Sequence, residues 1–128
     1  MPGEREIVDA PAAPPAVGPY SHAVRSGGLL FCSGQIPLDP QSGELVGDTP
    51  AEQARRCLEN LGEVCAAAGT TLAQAVRLTI YTTRLSAFAE INEVYGSFFQ
   101  DQPPARAAVG VAELPKGALV EIDAIVAL

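Results

Sequence analysis

Two periods of hydrophobic spacing divide this chain. Ala54, Leu58, Leu61, Cys65 and Ala68 recur at intervals of four and three, the single apolar stripe of an amphipathic helix. Thr49-Pro50-Ala51-Glu52 supplies its start: a capping hydroxyl, a proline at the first helical position and a capping-box glutamate. Gly69 supplies its stop. Glu52, Arg55, Arg56, Glu59 and Glu63 occupy the opposite, solvated face. A second stripe of Phe88, Ile91, Val94, Tyr95, Phe98 and Phe99 predicts another helix, capped by Ser86 and ended before Pro103-Pro104. Between them Val76, Leu78, Ile80 and Thr82 alternate with Arg77, Thr79, Tyr81 and Thr83, the period of a strand. Further strands are predicted over 21–26, 29–35, 105–112 and 119–126, with a short one at Ile7-Val8 before the proline-rich Ala10–Ala16. Gly27-Gly28 joins two of them as a two-residue hairpin.

This order has consequences for topology. Strands separated by helices need crossover connections, so the sheet is partly parallel. Two helices cover only one of its faces. On the strand over 105–112, Ala107, Val109 and Val111 point one way and Arg106, Ala108 and Gly110 the other, so neither face suits open water. The uncovered face is expected to pack on another copy of the chain.

Composition narrows the classes of function. A length of 128 residues with 48% hydrophobic and 18% charged residues fits one globular domain over 1–128. A net charge of −7, with eight scattered Lys and Arg, argues against nucleic acid and anionic membrane as partners. Cys32, Cys57 and Cys65 lack CxxC spacing, and Cys57 and Cys65 fall on the helical pattern as buried thiols, which suits a reducing compartment. His22 alone cannot complete a usual zinc site. Met1-Pro2-Gly3-Glu4-Arg5 opens without an apolar signal core, and no run reaches membrane-spanning length, so a cytoplasmic location is expected. There is no Walker loop and no GxGxxG. A reaction without cofactor or metal, or no reaction, is what remains.

Few residues offer chemistry. Arg106 has small same-face neighbours, Ala108 and Gly110, and a guanidinium in such a recess can hold a carboxylate through two charged hydrogen bonds. An arginine paired with an acid across an interface fits the same pattern. Glu121 and Asp123 share one face of the last strand, and a carboxylate beside an anionic substrate can exchange protons near neutral pH. A wet sheet edge is the other reading. Tyr20, after the rigid Gly18-Pro19, is a packing residue or a site aromatic. Ser33 has only His22 as a possible base, and no triad spacing supports the pair.

Gly18-Pro19-Tyr20-Ser21-His22-Ala23-Val24, Ser33-Gly34-Gln35-Ile36-Pro37, Phe88-Ala89-Glu90-Ile91-Asn92-Glu93-Val94-Tyr95, Pro104-Ala105-Arg106 and Leu114-Pro115-Lys116-Gly117-Ala118 together resemble the RidA/YjgF family of reactive-intermediate deaminases, in one order along nearly the whole chain. The resemblance implies an α+β fold like the Bacillus-type chorismate mutase: a mixed six-stranded sheet with two helices on one face, assembled as a homotrimer with clefts between subunits. It implies a hydrolase acting on C=N bonds, converting 2-iminopropanoate and 2-iminobutanoate to 2-keto acids and ammonia. Carried onto this chain, Arg106 holds the substrate carboxylate and Glu121 positions water and relays protons. Tyr20 and Asn92 complete the cleft from the other subunit, Ser33 and Gly34 lie near the bound acid, and Ala108 offers backbone contacts. A tight hairpin at Lys116-Gly117 would set Arg106 about 20 Å from Glu121 along the strands. The family fold instead puts the strand around Leu78 between theirs. Ala107-Ala108 replace the family's common Ser-Cys or Ser-Thr, and His22 stands where Gln is common. A non-catalytic member that binds keto acids in the same clefts is the alternative.

Overall fold

A computed structural model describes residues 4–128. Met1 to Gly3, which the sequence reading took with Glu4 and Arg5 as lacking a signal core, lie outside the described residues. The strands are β1 (Glu6–Val8), β2 (Ala23–Ser26), β3 (Leu29–Gln35), β4 (Ala75–Thr82), β5 (Ala105–Gly110) and β6 (Val120–Ala127). The helices are α1 (Pro50–Ala67) and α2 (Phe88–Phe98). No helix among the described residues is long and apolar enough to cross a membrane.

All six strands form one sheet in the order β1-β2-β3-β6-β4-β5. Only β4 and β5 run parallel, because α2 carries the chain back between them. β6 enters between β3 and β4 and pairs antiparallel with both. The expected placement of the Leu78 strand between those of Arg106 and Glu121 is therefore found. Gly27 and Gly28 take φ of 60° and 79°, the left-handed pair that a type I′ hairpin between β2 and β3 requires.

Helix α1 starts as its sequence dictates. Thr49 Oγ1 accepts from the Glu52 amide at 3.2 Å, and Glu52 Oε1 accepts from the Thr49 amide at 3.2 Å. Its stripe residues Ala54, Leu58, Leu61, Cys65 and Ala68 are all buried against the sheet, with Leu30, Leu78, Ile80, Ile122 and Val126 beneath. The start of α2 departs from expectation. Ser86 sits in a 3-10 turn over Leu85–Ala87, and the cap position falls to Ala87, which makes no side-chain hydrogen bond. Thr82 Oγ1, accepting from the Arg84 amide at 3.0 Å, and the Ala87 amide, donating to the Arg84 carbonyl at 2.9 Å, already close the chain there.

Strand β6 states the layering most plainly: Val120, Ile122, Ala124 and Val126 are buried under the helices, while Glu121, Asp123, Ile125 and Ala127 are half-buried on the other face. That second face carries Phe31 and Val109, 42% and 41% exposed. The open face expected from the pattern is present but mixed, with Phe31, Val109 and Ile125 beside Arg77, Thr79, Tyr81, Glu121 and Asp123. Thr49→Ala is expected to lower the unfolding free energy by about 1 kcal/mol, read as a drop in urea midpoint without a change in slope.

Candidate functional site

The loop between β1 and β2, the end of β3 and the start of β6 enclose a cleft of about 440 Å³. Tyr20, Ser33, Gly34 and Glu121 line it together, with Pro14, Pro15, Ile36 and Lys116. Backbone geometry explains the gathering. The β3–β6 register shifts between Cys32 and Gln35, so Ser33 and Gly34 form a bulge opposite Asp123. Within it the Ser33 hydroxyl donates to the Ser21 carbonyl at 2.6 Å, and the Ser33 amide donates to the His22 carbonyl at 3.0 Å. Ser33 thus fastens the loop that carries Tyr20. A Cβ on Gly34 would land on Glu121 Oε2, so only glycine lets the carboxylate lie across β3.

His22 is the second fastener. It is buried, its Nδ1 accepts from the Ala10 amide at 3.0 Å, and its Nε2 meets the Pro14 carbonyl at 2.8 Å. These partners assign the Nε2–H tautomer. Both nitrogens are committed to the proline-rich wall of the cleft, which gives this departure from the family pattern a structural use.

Two further positioning residues escaped the sequence reading. Asn60 Nδ2 donates to the Ile36 and Leu38 carbonyls at 3.4 and 3.0 Å. Gln53 Oε1 accepts from the Leu119 amide at 2.7 Å, and its Nε2 donates to the Gly47 carbonyl at 3.1 Å. A signal was available: Gln53, Cys57, Asn60 and Val64 repeat at four, three and four, a second buried stripe with amides in it. A polar residue at core spacing needs a partner, and here the partners are the cleft loops and the start of β6.

Glu121 is the cleft's carboxylate. Burial pushes it above the ordinary carboxylate range, and the charge of Asp123 adds to the rise. The cysteines offer no competing nucleophile. All three are free and buried, and burial pushes the Cys57 thiol up. A hydrogen bond with Cys65, together with burial, pushes the Cys32 thiol up as well, and the same bond lowers the Cys65 thiol, which is fully buried and out of reach of any substrate. Among the described residues, no group of three or more His, Cys, Asp or Glu could hold a metal ion.

Arg106 and Asn92 lie elsewhere. Arg106 pairs with Leu78 across the parallel ladder and so shares the helical face of the sheet. Its Nη1 donates to Asn92 Oδ1 at 2.6 Å. The guanidinium lies over the rings of Phe88 and Tyr95, 5.1 and 4.9 Å from their centres. No carboxylate among the described residues pairs with it. The space beside Gly110, expected to be open, is occupied by Leu85, which a Cβ there would meet at 3.4 Å. Ala108 lies on the same edge strand, two residues on.

The sequence-predicted residues therefore fall into two groups. Glu121 pairs with Tyr81 on the open face, whereas Arg106 pairs with Leu78 on the helical face. Two strand spacings and three residues separate them, about 14 Å between Cα atoms. One small molecule cannot touch both within one chain.

The family model described as Endoribonuclease L-PSP matches residues 10–128. The RutC family protein y4sK of Sinorhizobium fredii is 50% identical, over 96% of this chain and 98% of its own. The 2-iminobutanoate/2-iminopropanoate deaminase of Mus musculus is 44% identical, over 94% of this chain and 90% of its own. The crystal structure of RidA from the Antarctic bacterium Psychrobacter sp. PAMC 21119 superimposes with a TM-score of 0.92 at 41% identity, covering 96% of this chain and 99% of that one.

The raised Glu121 carboxyl makes a thermodynamic prediction. Its ionisation is favoured in the unfolded chain, so stability falls as pH rises from the ordinary carboxylate range through the raised folded value. Glu121→Gln removes that slope. Urea titrations are expected to find the variant more stable than the wild type at pH 7 and equal to it near about pH 3.5, below both values.

Proposed function

We propose that this chain, which belongs to the RidA/YjgF family, hydrolyses small 2-imino acids to 2-keto acids and ammonia at a site completed by two copies of itself. The observation that carries this reading is the division of the site. Among the described residues, a guanidinium without an acid partner stands at an edge strand, and a carboxylate whose proton affinity is raised by burial stands in a cleft on the other face. A neighbouring copy that brings its edge strand β5 to the cleft would place Arg106 beside Glu121. The exposed Phe31 and Val109 on the open face support such packing, and a closed cyclic assembly, here read as a trimer, repeats the contact without free ends. The mouse relative, a 2-iminobutanoate/2-iminopropanoate deaminase, supports this substrate class.

The chemistry asks little of the protein. Arg106 takes the substrate carboxylate with two charged hydrogen bonds, its fork held flat by Asn92 and the Phe88 and Tyr95 rings. Glu121, ionised, accepts a proton from water as the water oxygen bonds to C2 of the iminium. The same carboxylic acid then returns its proton to the amino nitrogen. The C–N bond breaks, the carbonyl forms, and the ammonia released leaves as ammonium with the hydroxyl proton. A carboxyl held above its ordinary range can perform both transfers near neutral pH. Tyr20 closes the cleft, and the Ser33-Gly34 bulge borders the bound acid. Holding reactant and water together supplies most of the acceleration.

The family model's description points to RNA instead. A net charge of −7 and a cleft with Lys116 as its one cation among the described residues offer no track for phosphates, which favours the small-acid reading. Three free, buried thiols suit a reducing compartment, and we read the protein as cytoplasmic.

The test couples the protein to an amino-acid oxidase or dehydratase that releases the imine, and follows imine decay. Arg106→Ala is expected to lower kcat/KM by about a hundredfold or more while the assembly keeps its size, since a charged anchor contributes several kcal/mol to bound-state stabilisation. Decay at the wild-type rate with Arg106→Ala would remove Arg106 from the reaction. Keto-acid binding without faster decay in the wild type would favour a binding protein.

A further inference from the structure

A hydrogen bond between two side chains of the open face lies outside the machinery assigned above. The Tyr81 hydroxyl donates to Asp123 Oδ2 at 3.1 Å. Tyr81 is the direct partner of Glu121 across β4 and β6, so the bond runs diagonally, from the residue opposite Glu121 to the next carboxylate on the same face. Glu121 and Asp123, two residues apart on one strand, have Cα atoms about 7 Å apart. Both carboxylates are half-buried, where water screens their repulsion incompletely.

We propose that Asp123, tethered by Tyr81, is a positioning residue for the deaminase reaction: its charge, held in place, raises the pH at which Glu121 takes up and gives back the proton. The inference rests on the reading that Glu121 relays protons. Asp123 and Tyr81 do not line the cleft, so they touch no substrate and act only through Glu121. Burial is the larger influence on Glu121 and the Asp123 charge the second. The tether matters because an untethered Asp123 could turn its charge into solvent. Tyr81 itself stays a donor, burial and the Asp123 charge pushing its hydroxyl further up.

In the assembled site Arg106 of a neighbouring copy favours the ionised form of Glu121, equally in the wild type and in Asp123 variants, so the difference between them reads Asp123. The other groups around Glu121 do not supply this control. From the neighbouring strand β3 come Ser33 and the bare Gly34, both uncharged. The Tyr20 and Lys116 side chains face it across the cleft, and Lys116 forms no ion pair among the described residues. Beneath the sheet, the Cys57 thiol of α1 is kept neutral by burial. On the open face Arg77 and Thr79 border the same hollow as Asp123, and Arg77 lies beyond ion-pair distance of it. Asp123 is therefore the one anionic group set beside Glu121 on its own strand.

The experiment follows the Glu121 carboxyl by NMR in the assembled protein labelled with carboxyl-13C glutamate, the signal being the one lost in Glu121→Gln. In Asp123→Asn its titration midpoint is expected to fall by about half a pH unit or more, and the acid limb of kcat/KM is expected to move down by the same amount with kcat on the plateau within about twofold. Tyr81→Phe, which keeps the ring and loses only the hydroxyl, is expected to shift both in the same direction by less. A midpoint unmoved or raised in Asp123→Asn overturns the proposal, as does a shifted midpoint with an unmoved acid limb. Wild-type turnover by Glu121→Gln would instead remove the reading of Glu121, and the NMR midpoint would still judge the role of Asp123 separately.

Discussion

A pleated strand sends successive side chains to opposite faces, and that alternation governs this molecule. β6 obeys it over its whole length, with four side chains under the helices and four on the open face. β5 obeys it too, which puts Arg106 with Leu78 on the helical side while Glu121 pairs with Tyr81 on the other. No side-chain rotation brings these two charges to one small substrate within a chain. On our account the catalytic unit is therefore a contact between copies. The open face, the edge strand and the half-formed cleft all follow from one arrangement of the sheet.

Precision at the cleft comes from buried polar groups. His22 ties down the proline-rich wall, Asn60 holds the Ile36 and Leu38 carbonyls, and Gln53 fixes Leu119 at the approach to Glu121. Each is buried, so each must find partners or destabilise the fold. Walls held this way enclose the Glu121 carboxylate of β6, which lies against Gly34 of β3, and the bulge at Ser33-Gly34 makes the room.

Much of this was legible in the sequence because its signals are local. The capping box at Thr49 and Glu52, the Gly27-Gly28 hairpin and the two helical stripes each depend on residues within a few positions. Ser86 misled because the turn is closed by the Thr82 hydroxyl and a backbone bond from Ala87, which the capping pattern does not reveal. The bulge was hidden for another reason: it exists only in the register between β3 and β6, some ninety residues apart. Likewise, the residues of the resemblance could be named from their motifs, but their separation onto two faces of the sheet required the strand pairing. Gln53 and Asn60 were visible as amides at core spacing, yet their partners lie in loops whose course no periodicity fixes.

The division of the site between copies is tested most directly by mixing. Arg106→Ala and Glu121→Gln chains, each expected to lose nearly all turnover alone, are co-refolded in equal amounts and assayed for imine hydrolysis. A site that draws Arg106 from one copy and Glu121 from another regains both in about a quarter of random pairings, so turnover near that share of the wild type is expected. Turnover no higher than that of the separate variants, in assemblies shown to have exchanged chains, would contradict the account.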